Sequence, residues 1–172
     1  MVRPRSVLVV PANNTTMEQE MNALCPNLAP FVVARVRRPT RTLTVDDLPA
    51  YRGSTLEAIE PFLERQPDMV VYGRMAAGFL GGPAGNASVV AAPRARAAAP
   101  MVSTAAAMVD MLGHDGSTET AIVTPDLAAV NDGLCACLCS AGSAVGLRAK
   151  ALASVTPASR ALSAQAAGGR RR

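Results

Sequence analysis

Residues 69–82 read MVVYGRMAAGFLGG and are the stretch that most clearly indicates the fold. The run from Met69 to Tyr72 is short, apolar and rich in β-formers, as is typical of a buried strand. It opens at Gly73 into small residues that end in two glycines, which indicates a loop. In α/β sheets such a loop borders the ligand site, and the only reactive side chain that this loop offers is Arg74.

The same rhythm of short apolar runs and helical stretches continues on both sides of this loop. Strands are predicted at residues 6–10, 31–36, 68–72, 100–104 and 120–123. Helices are predicted at residues 16–24, within 42–66, at 83–98, at 104–112 and in the segment after 124. The helix within 42–66 is expected to bury Leu56, Ile59, Phe62 and Leu63 on one face. This alternation predicts an α/β fold with a parallel sheet and a ligand site outside the carboxyl ends of the strands.

The composition bounds the class of protein. The chain has 172 residues, of which 49% are hydrophobic and 3% aromatic, so its core is expected to be built from Val, Leu, Ala and Met. No apolar run approaches the roughly 18 residues that a membrane helix needs, so we expect no membrane contact. The N-terminal run, residues 7–10, is too short for a secretory signal, and we expect a cytoplasmic protein.

The basic character of the chain lies in its last part. Residues 1–132 hold 11 arginines and all 13 acidic residues, whereas residues 133–172 hold five arginines and Lys150 without an acid. The latter segment is rich in Ala, Ser and Gly, which argues against a well-packed unit. It is either a natural flexible tail or an out-of-frame translation of a GC-rich gene, and we favour the second. It lacks the interleaved aromatics that stack on bases, so no nucleic-acid binding is expected.

Two clusters of polar residues suggest chemistry. Cys135, Cys137 and Cys139 lack a second Cys or His pair to complete a tetrahedral site, so no metal is expected. Residues 13–16, NNTT, bring amides and hydroxyls to the start of a helix. That arrangement suits a bound carboxylate, but a plain helix cap would explain it equally well.

Three segments carry a resemblance to a known family. VLVVPANNTTMEQEM (residues 7–21) resembles the opening of maleate cis-trans isomerases and their relatives in the aspartate/glutamate racemase superfamily. Residues 70–82 resemble the family's Tyr-Gly-Cys-Thr-Ser-Gly-Ser-Phe-Leu-Gly-Gly loop, and residues 101–134 resemble its Ser-Thr helix, fifth strand and Thr-Pro-Tyr segment. Arylmalonate decarboxylases share the layout. The resemblance covers roughly residues 6–134.

The resemblance implies two similar α/β lobes with a site in the cleft between them. Each lobe of an isomerase contributes a cysteine, one thiolate attacks the double bond of the bound diacid, and no cofactor is needed. On this basis residues 1–118 form the first lobe, and residues 119–141 begin the second lobe with one strand and one helix. Residues 142–172 form a low-complexity basic tail, so the second lobe is incomplete.

The site implied by the resemblance is altered in this chain. Arg74 stands where the family has its first cysteine, and an arginine is not a nucleophile at neutral pH. None of Cys135, Cys137 or Cys139 stands in a context like the family's second cysteine, so no catalytic residue is intact. The substrate-binding positions implied are Asn14, Thr15, Arg74, Met75, Ala76 and Asp126. The ligand would be a small dicarboxylate or an arylmalonate-like acid, and the resemblance allows a homo-oligomer.

Several functions stay open on these residues. By lineage the chain is maleate isomerase-like and expected to be inactive. The alternatives are an arylmalonate decarboxylase or an Asp/Glu racemase-like enzyme, a non-catalytic carboxylate-binding protein, or a truncated product without function.

Overall fold

The fold is taken from a computed structural model, which describes residues 5–26 and 30–150, with only the backbone for 148–150. The greater part of the predicted basic tail, residues 151–172, lies outside the described residues.

Strands and helices alternate along the described chain, as the sequence predicts. The strands are β1 (Ser6–Pro11), β2 (Val32–Val36), β3 (Met69–Tyr72), β4 (Met101–Ser103), β5 (Glu119–Thr124) and β6 (Ala144–Lys150). The helices are α1 (Met17–Leu24), α2 (Leu48–Leu63), α3 (Met75–Phe79), α4 (Gly82–Ala97), α5 (Thr104–His114) and α6 (Ala128–Ser140). A short 3-10 helix, Val45–Asp47, precedes α2. Among the described residues, no helix is long and apolar enough to cross a bilayer.

The strands form two parallel sheets. The first has the order β2-β1-β3-β4, and the second consists of β5 and β6. The predicted α/β fold with a parallel sheet flanked by helices is confirmed. Because β1 pairs with both β2 and β3, the loops that leave these three strands meet at one edge of the sheet.

Strand β1 is buried on both of its faces, which explains its continuous apolar run. Val7 and Val9 pack in the larger core cluster with residues of α2 and α4, including Ile59. Leu8 and Val10 face the opposite way and pack against α1. A helical layer on each face removes this hydrophobic surface from water and stabilises the first sheet.

The buried face of α2 extends further toward the N-terminus of the helix than the sequence predicts. Its buried residues are Leu48, Tyr51, Thr55 and Ile59. Only Ile59 is common to both sets, while Leu56 is half-buried beside the stripe. Thr55 can be buried because its hydroxyl donates a hydrogen bond of 2.8 Å to the carbonyl of Tyr51. The predicted Phe62 and Leu63 are partly buried and pack against the same core cluster as Ile59, so the predicted face is the C-terminal part of the observed one.

The segment predicted as a loop after β3 contains the short helix α3. This helix has five residues and ends at Phe79, and two residues later Gly81 adopts a left-handed conformation with φ of 70°. Gly81 favours this conformation because it has no Cβ, and it leads directly into α4.

The chain beyond Gly133 packs more closely than its composition predicts. The second half of α6 buries Leu134, Cys135, Cys137 and Leu138 in the core. Residues 144–150, which the sequence analysis assigns to the low-complexity basic tail, form the strand β6. Backbone pairing of β6 with β5, including Thr120 opposite Val145, supplies structure that composition does not reveal. The division of the chain into lobes at residue 118 stays a prediction.

Candidate functional site

An open cleft of about 490 Å³ lies at the carboxyl ends of β1, β2 and β3. Its walls also include residues from the loop before α2, from α2 and α3, and from the loop after β5. The lining residues are Pro11, Ala12, Asn13, Val36, Arg37, Arg38, Leu43, Tyr51, Arg74, Met75, Ala76, Ala77 and Asp126. This is the edge of a parallel sheet where a ligand site is expected.

Arg74 is the most unusual side chain of the cleft, because it is only 6% exposed. Its Nη1 donates to Ser54 Oγ at 3.5 Å, and its guanidinium carbon lies 4.6 Å from the centroid of the Tyr51 ring. Within the described part of the chain, no carboxylate forms a salt bridge with it. Burial lowers the pKa of the Arg74 guanidinium, because a desolvated cation is disfavoured. The cleft therefore presents a buried positive charge for which residues 5–26 and 30–150 supply no counter-ion.

Gly73 allows the chain to turn into the cleft at Arg74. Its N–H donates to the carbonyl of Val9 at 2.7 Å, so the end of β3 stays close to β1. A Cβ at this position would lie 2.6 Å from Met17 Sδ and 2.9 Å from the carbonyl oxygen of Val9. The Met17 side chain could move aside, but the Val9 carbonyl is backbone, so a residue with a side chain would push β3 away from β1 next to Arg74.

Four of the predicted binding residues line the cleft together: Arg74, Met75, Ala76 and Asp126. Asn14 and Thr15 are not among the lining residues. Asn14 Oδ1 accepts hydrogen bonds from the backbone N–H groups of residues 16 and 17, at 3.1 and 2.9 Å, and so caps the start of α1. These bonds support the capping interpretation, and the binding roles of Asn14 and Thr15 stay predictions.

Two further arginines of the cleft were missed in the sequence. Arg37 and Arg38 follow β2 in the segment RVRRPTR, residues 35–41. Both line the cleft, and neither takes part in a salt bridge among the described residues. Asp126 brings a carboxylate to the lining, also without a salt bridge there. A cluster of arginines directly after a strand end was the signal that could have identified them.

The cysteines of the described chain lie elsewhere. Cys135 and Cys137 are buried in the core, Cys139 is exposed on α6, and Cys25 is half-buried after α1. None of them lines the cleft. In the residues that the structure describes, no three His, Cys, Asp or Glu side chains are placed to hold a metal ion.

Tyr72 ends β3 beside Arg74 and is fully buried. Its hydroxyl has no hydrogen-bond partner among the described residues. Burial raises the pKa of Tyr72 to about 12, although the positive charge of Arg74 opposes the rise. The neutral phenol is therefore the form that the folded chain holds.

The chain should lose stability at alkaline pH as Tyr72 ionises, and Tyr72→Phe should abolish this loss. An unfolded tyrosine ionises near pH 10, whereas folded Tyr72 ionises near 12. The contribution of neutral Tyr72 to the free energy of unfolding is thus complete below about pH 10. It falls by roughly 2 to 3 kcal/mol as the pH rises to about 12. Urea unfolding of both chains at pH 7 and at pH 9 to 12 measures the difference. Equal alkaline losses in the two chains would contradict the assignment. At pH 7 we expect Tyr72→Phe to be as stable as the parent chain or about 1 kcal/mol more stable, because it removes a buried hydroxyl that has lost its hydration.

Comparison with known proteins gives matches at the level of structure. No protein-family model and no curated protein sequence matches the chain significantly. A mutant of Nocardia farcinica maleate cis-trans isomerase, solved with a covalently bound succinylcysteine intermediate, matches with a TM-score of 0.73 and 26% identity. The maleate isomerase of Pseudomonas putida S16 matches with 0.71 and 22%. For both, the alignment covers 87% of this chain and 64% of the other.

Arylmalonate decarboxylase gives a similar result. Its unliganded structure matches with a TM-score of 0.72 and 19% identity, over 92% of this chain and 64% of the decarboxylase. This chain thus spans a little under two thirds of the length of each of these proteins. By its fold, the chain is similar to maleate cis-trans isomerases and arylmalonate decarboxylases.

Proposed function

We propose that this chain binds a small dicarboxylate in the cleft and does not turn it over by thiol chemistry. The observation that carries the proposal is the buried guanidinium of Arg74, which has no carboxylate partner among the described residues. The structural relatives supply the ligand class, because one of them was solved with maleate.

A carboxylate would pair with the free N–H donors and the positive charge of Arg74. A guanidinium has five N–H donors, and the only hydrogen bond that the described residues give it is the long contact to Ser54. A carboxylate would accept two parallel hydrogen bonds and supply the missing negative charge. The face of Tyr51 holds the guanidinium in place, which limits the entropy lost on binding. Apolar lining residues such as Val36 and Met75 would contact the carbon chain of the ligand.

The same position explains why we expect no isomerisation. In the Nocardia enzyme the trapped intermediate joins a cysteine sulfur to the diacid. Here Arg74 stands where the resemblance places a cysteine, and no cysteine of the described residues lines the cleft. The proposal keeps the maleate isomerase-like lineage and assigns binding without turnover. A cytoplasmic location and homo-oligomerisation remain predictions that accompany it.

The 172-residue chain should bind maleate without converting it to fumarate. We expect maleate at millimolar concentration to raise the melting temperature, because it binds only the folded chain. The uncharged diester, dimethyl maleate, is the matched control and should give no shift. Fumarate formation, followed by absorbance, should stay at background, since loss of a nucleophile costs roughly four to six orders of magnitude in rate. Absence of a maleate shift would overturn the binding proposal, and clear turnover would overturn the inactive assignment.

A further inference from the structure

The cleft gathers more positive charge than one carboxylate requires. Arg37 and Arg38 are exposed at its rim, whereas Arg74 is buried. Neither rim arginine has a salt bridge among the described residues, although nearby Arg35 pairs with Glu18 at 2.8 Å. Arg37, Arg38 and Arg74 line the same cleft, so their positive charges face one shared space. Like charges that converge on one cavity are stabilised when an anion enters it.

We infer that Arg37 and Arg38 form a second anion subsite at the rim, so that the cleft selects dianions over monoanions. The inference rests on the proposed function and assigns a residue pair to the second charge of the ligand. A first carboxylate that pairs with Arg74 uses both of its oxygens in a fork. The second acidic group then needs donors within the same cleft, where the charged side chains besides Arg74 are the two rim arginines and Asp126.

Asp126 favours placement of the second acidic group of a dianion at the rim arginines. Its carboxylate repels a second acidic group placed near the loop after β5, and this favours the ligand orientation that points toward the rim arginines. The rim is exposed and screened by salt, so the selectivity is modest. We expect roughly five- to tenfold tighter binding of a dicarboxylate than of the matched monocarboxylate at low ionic strength.

The test compares maleate with isocrotonate, which carries a methyl group in place of one carboxylate. Affinities are measured by calorimetry at low salt for the wild-type chain and for the double variant Arg37→Gln/Arg38→Gln. We expect the double variant to bind maleate roughly five- to tenfold more weakly and isocrotonate with unchanged affinity. Arg41→Gln is the matched control, because Arg41 is an exposed arginine of the same segment that does not line the cleft, and it should alter neither affinity.

The outcomes separate this inference from the proposed function. If the wild-type chain binds neither acid, the proposed function itself fails. If it binds both acids equally and the double variant changes nothing, the binding site stands and the second subsite is refuted. Equal losses for both acids would also refute it, because the rim would then act on the net charge of the cleft.

Inorganic phosphate tests whether an ion with two negative charges on one group can replace a dicarboxylate. Phosphate carries its charge on a single tetrahedral group, so with two separate subsites we expect it to occupy only the Arg74 subsite, to bind more weakly than maleate and to be insensitive to the double variant. Phosphate that binds more tightly than maleate and loses affinity in the double variant would overturn the arrangement of two subsites. Unchanged melting temperatures of the unliganded variants confirm that the comparison concerns binding alone.

Discussion

Arg74→Met should raise the stability of the unliganded chain while it abolishes stabilisation by maleate. A buried cation without a counter-ion has lost its hydration and regains little from Ser54 and the Tyr51 ring. Methionine is unbranched and flexible, and its sulfur packs well against an aromatic ring. We expect a gain of about 1 to 3 kcal/mol in the free energy of unfolding. Maleate affinity should fall by about a hundredfold or more, as when one partner of a buried charge pair is removed.

Arg74→Lys is the control for this substitution. Lysine keeps the positive charge but loses the planar fork, so it should retain part of the maleate affinity and gain no stability. Urea unfolding with and without maleate measures both effects in one experiment. A loss of stability in Arg74→Met would mean that the arginine contributes to packing or pairing, and that its buried charge is not held for a ligand.

Gly133→Ala should severely destabilise the chain. A Cβ on Gly133 would lie 1.8 Å from the carbonyl oxygen of Phe79 and 2.9 Å from its carbon, both in the backbone of α3. Helices α3 and α6 would have to move apart to relieve this overlap. We expect a loss of about 3 kcal/mol or more, which is at the upper end for overpacking. Thermal and urea unfolding of the purified variant measure it.

Gly53→Ala is the matched control, because Gly53 lies inside α2 and a Cβ there would have no heavy atom within 4 Å. It should leave the stability unchanged or raise it by up to about 1 kcal/mol through helix propensity. An unaffected Gly133→Ala variant would show that α6 does not pack closely on α3. That result would favour the interpretation that the chain after residue 133 is an unpacked tail.

Local patterns were sufficient for the course of the first sheet. The apolar runs of β1 and β3 and the glycines after β3 predict two buried strands and a turn, because burial on both faces leaves a continuous hydrophobic signal. The position of Arg74 at the end of β3 follows from the same pattern. The sequence resemblance to maleate isomerases predicted their fold for this chain, and the structural matches support that fold.

Other features depend on residues that are distant in sequence. Arg37 and Arg38 become part of the cleft only because β2 pairs with β1, and this pairing brings their loop beside the end of β3. The side chain of Asn14 turned to the start of α1, and the sequence could not choose between that cap and a ligand.

The amino-acid sequence by itself determined the α/β class, the charge distribution and the alternation of strands and helices, because these follow from the residue types and their spacing. Tertiary structure alone decided that Leu134 and Leu138 are buried and that residues 144–150 pair with β5. It also left Arg74 without a carboxylate partner in the part of the chain that the structure describes. The reason is physical: burial and ion pairing depend on which surfaces meet in space, and a segment of low complexity carries little periodicity from which those contacts could be inferred.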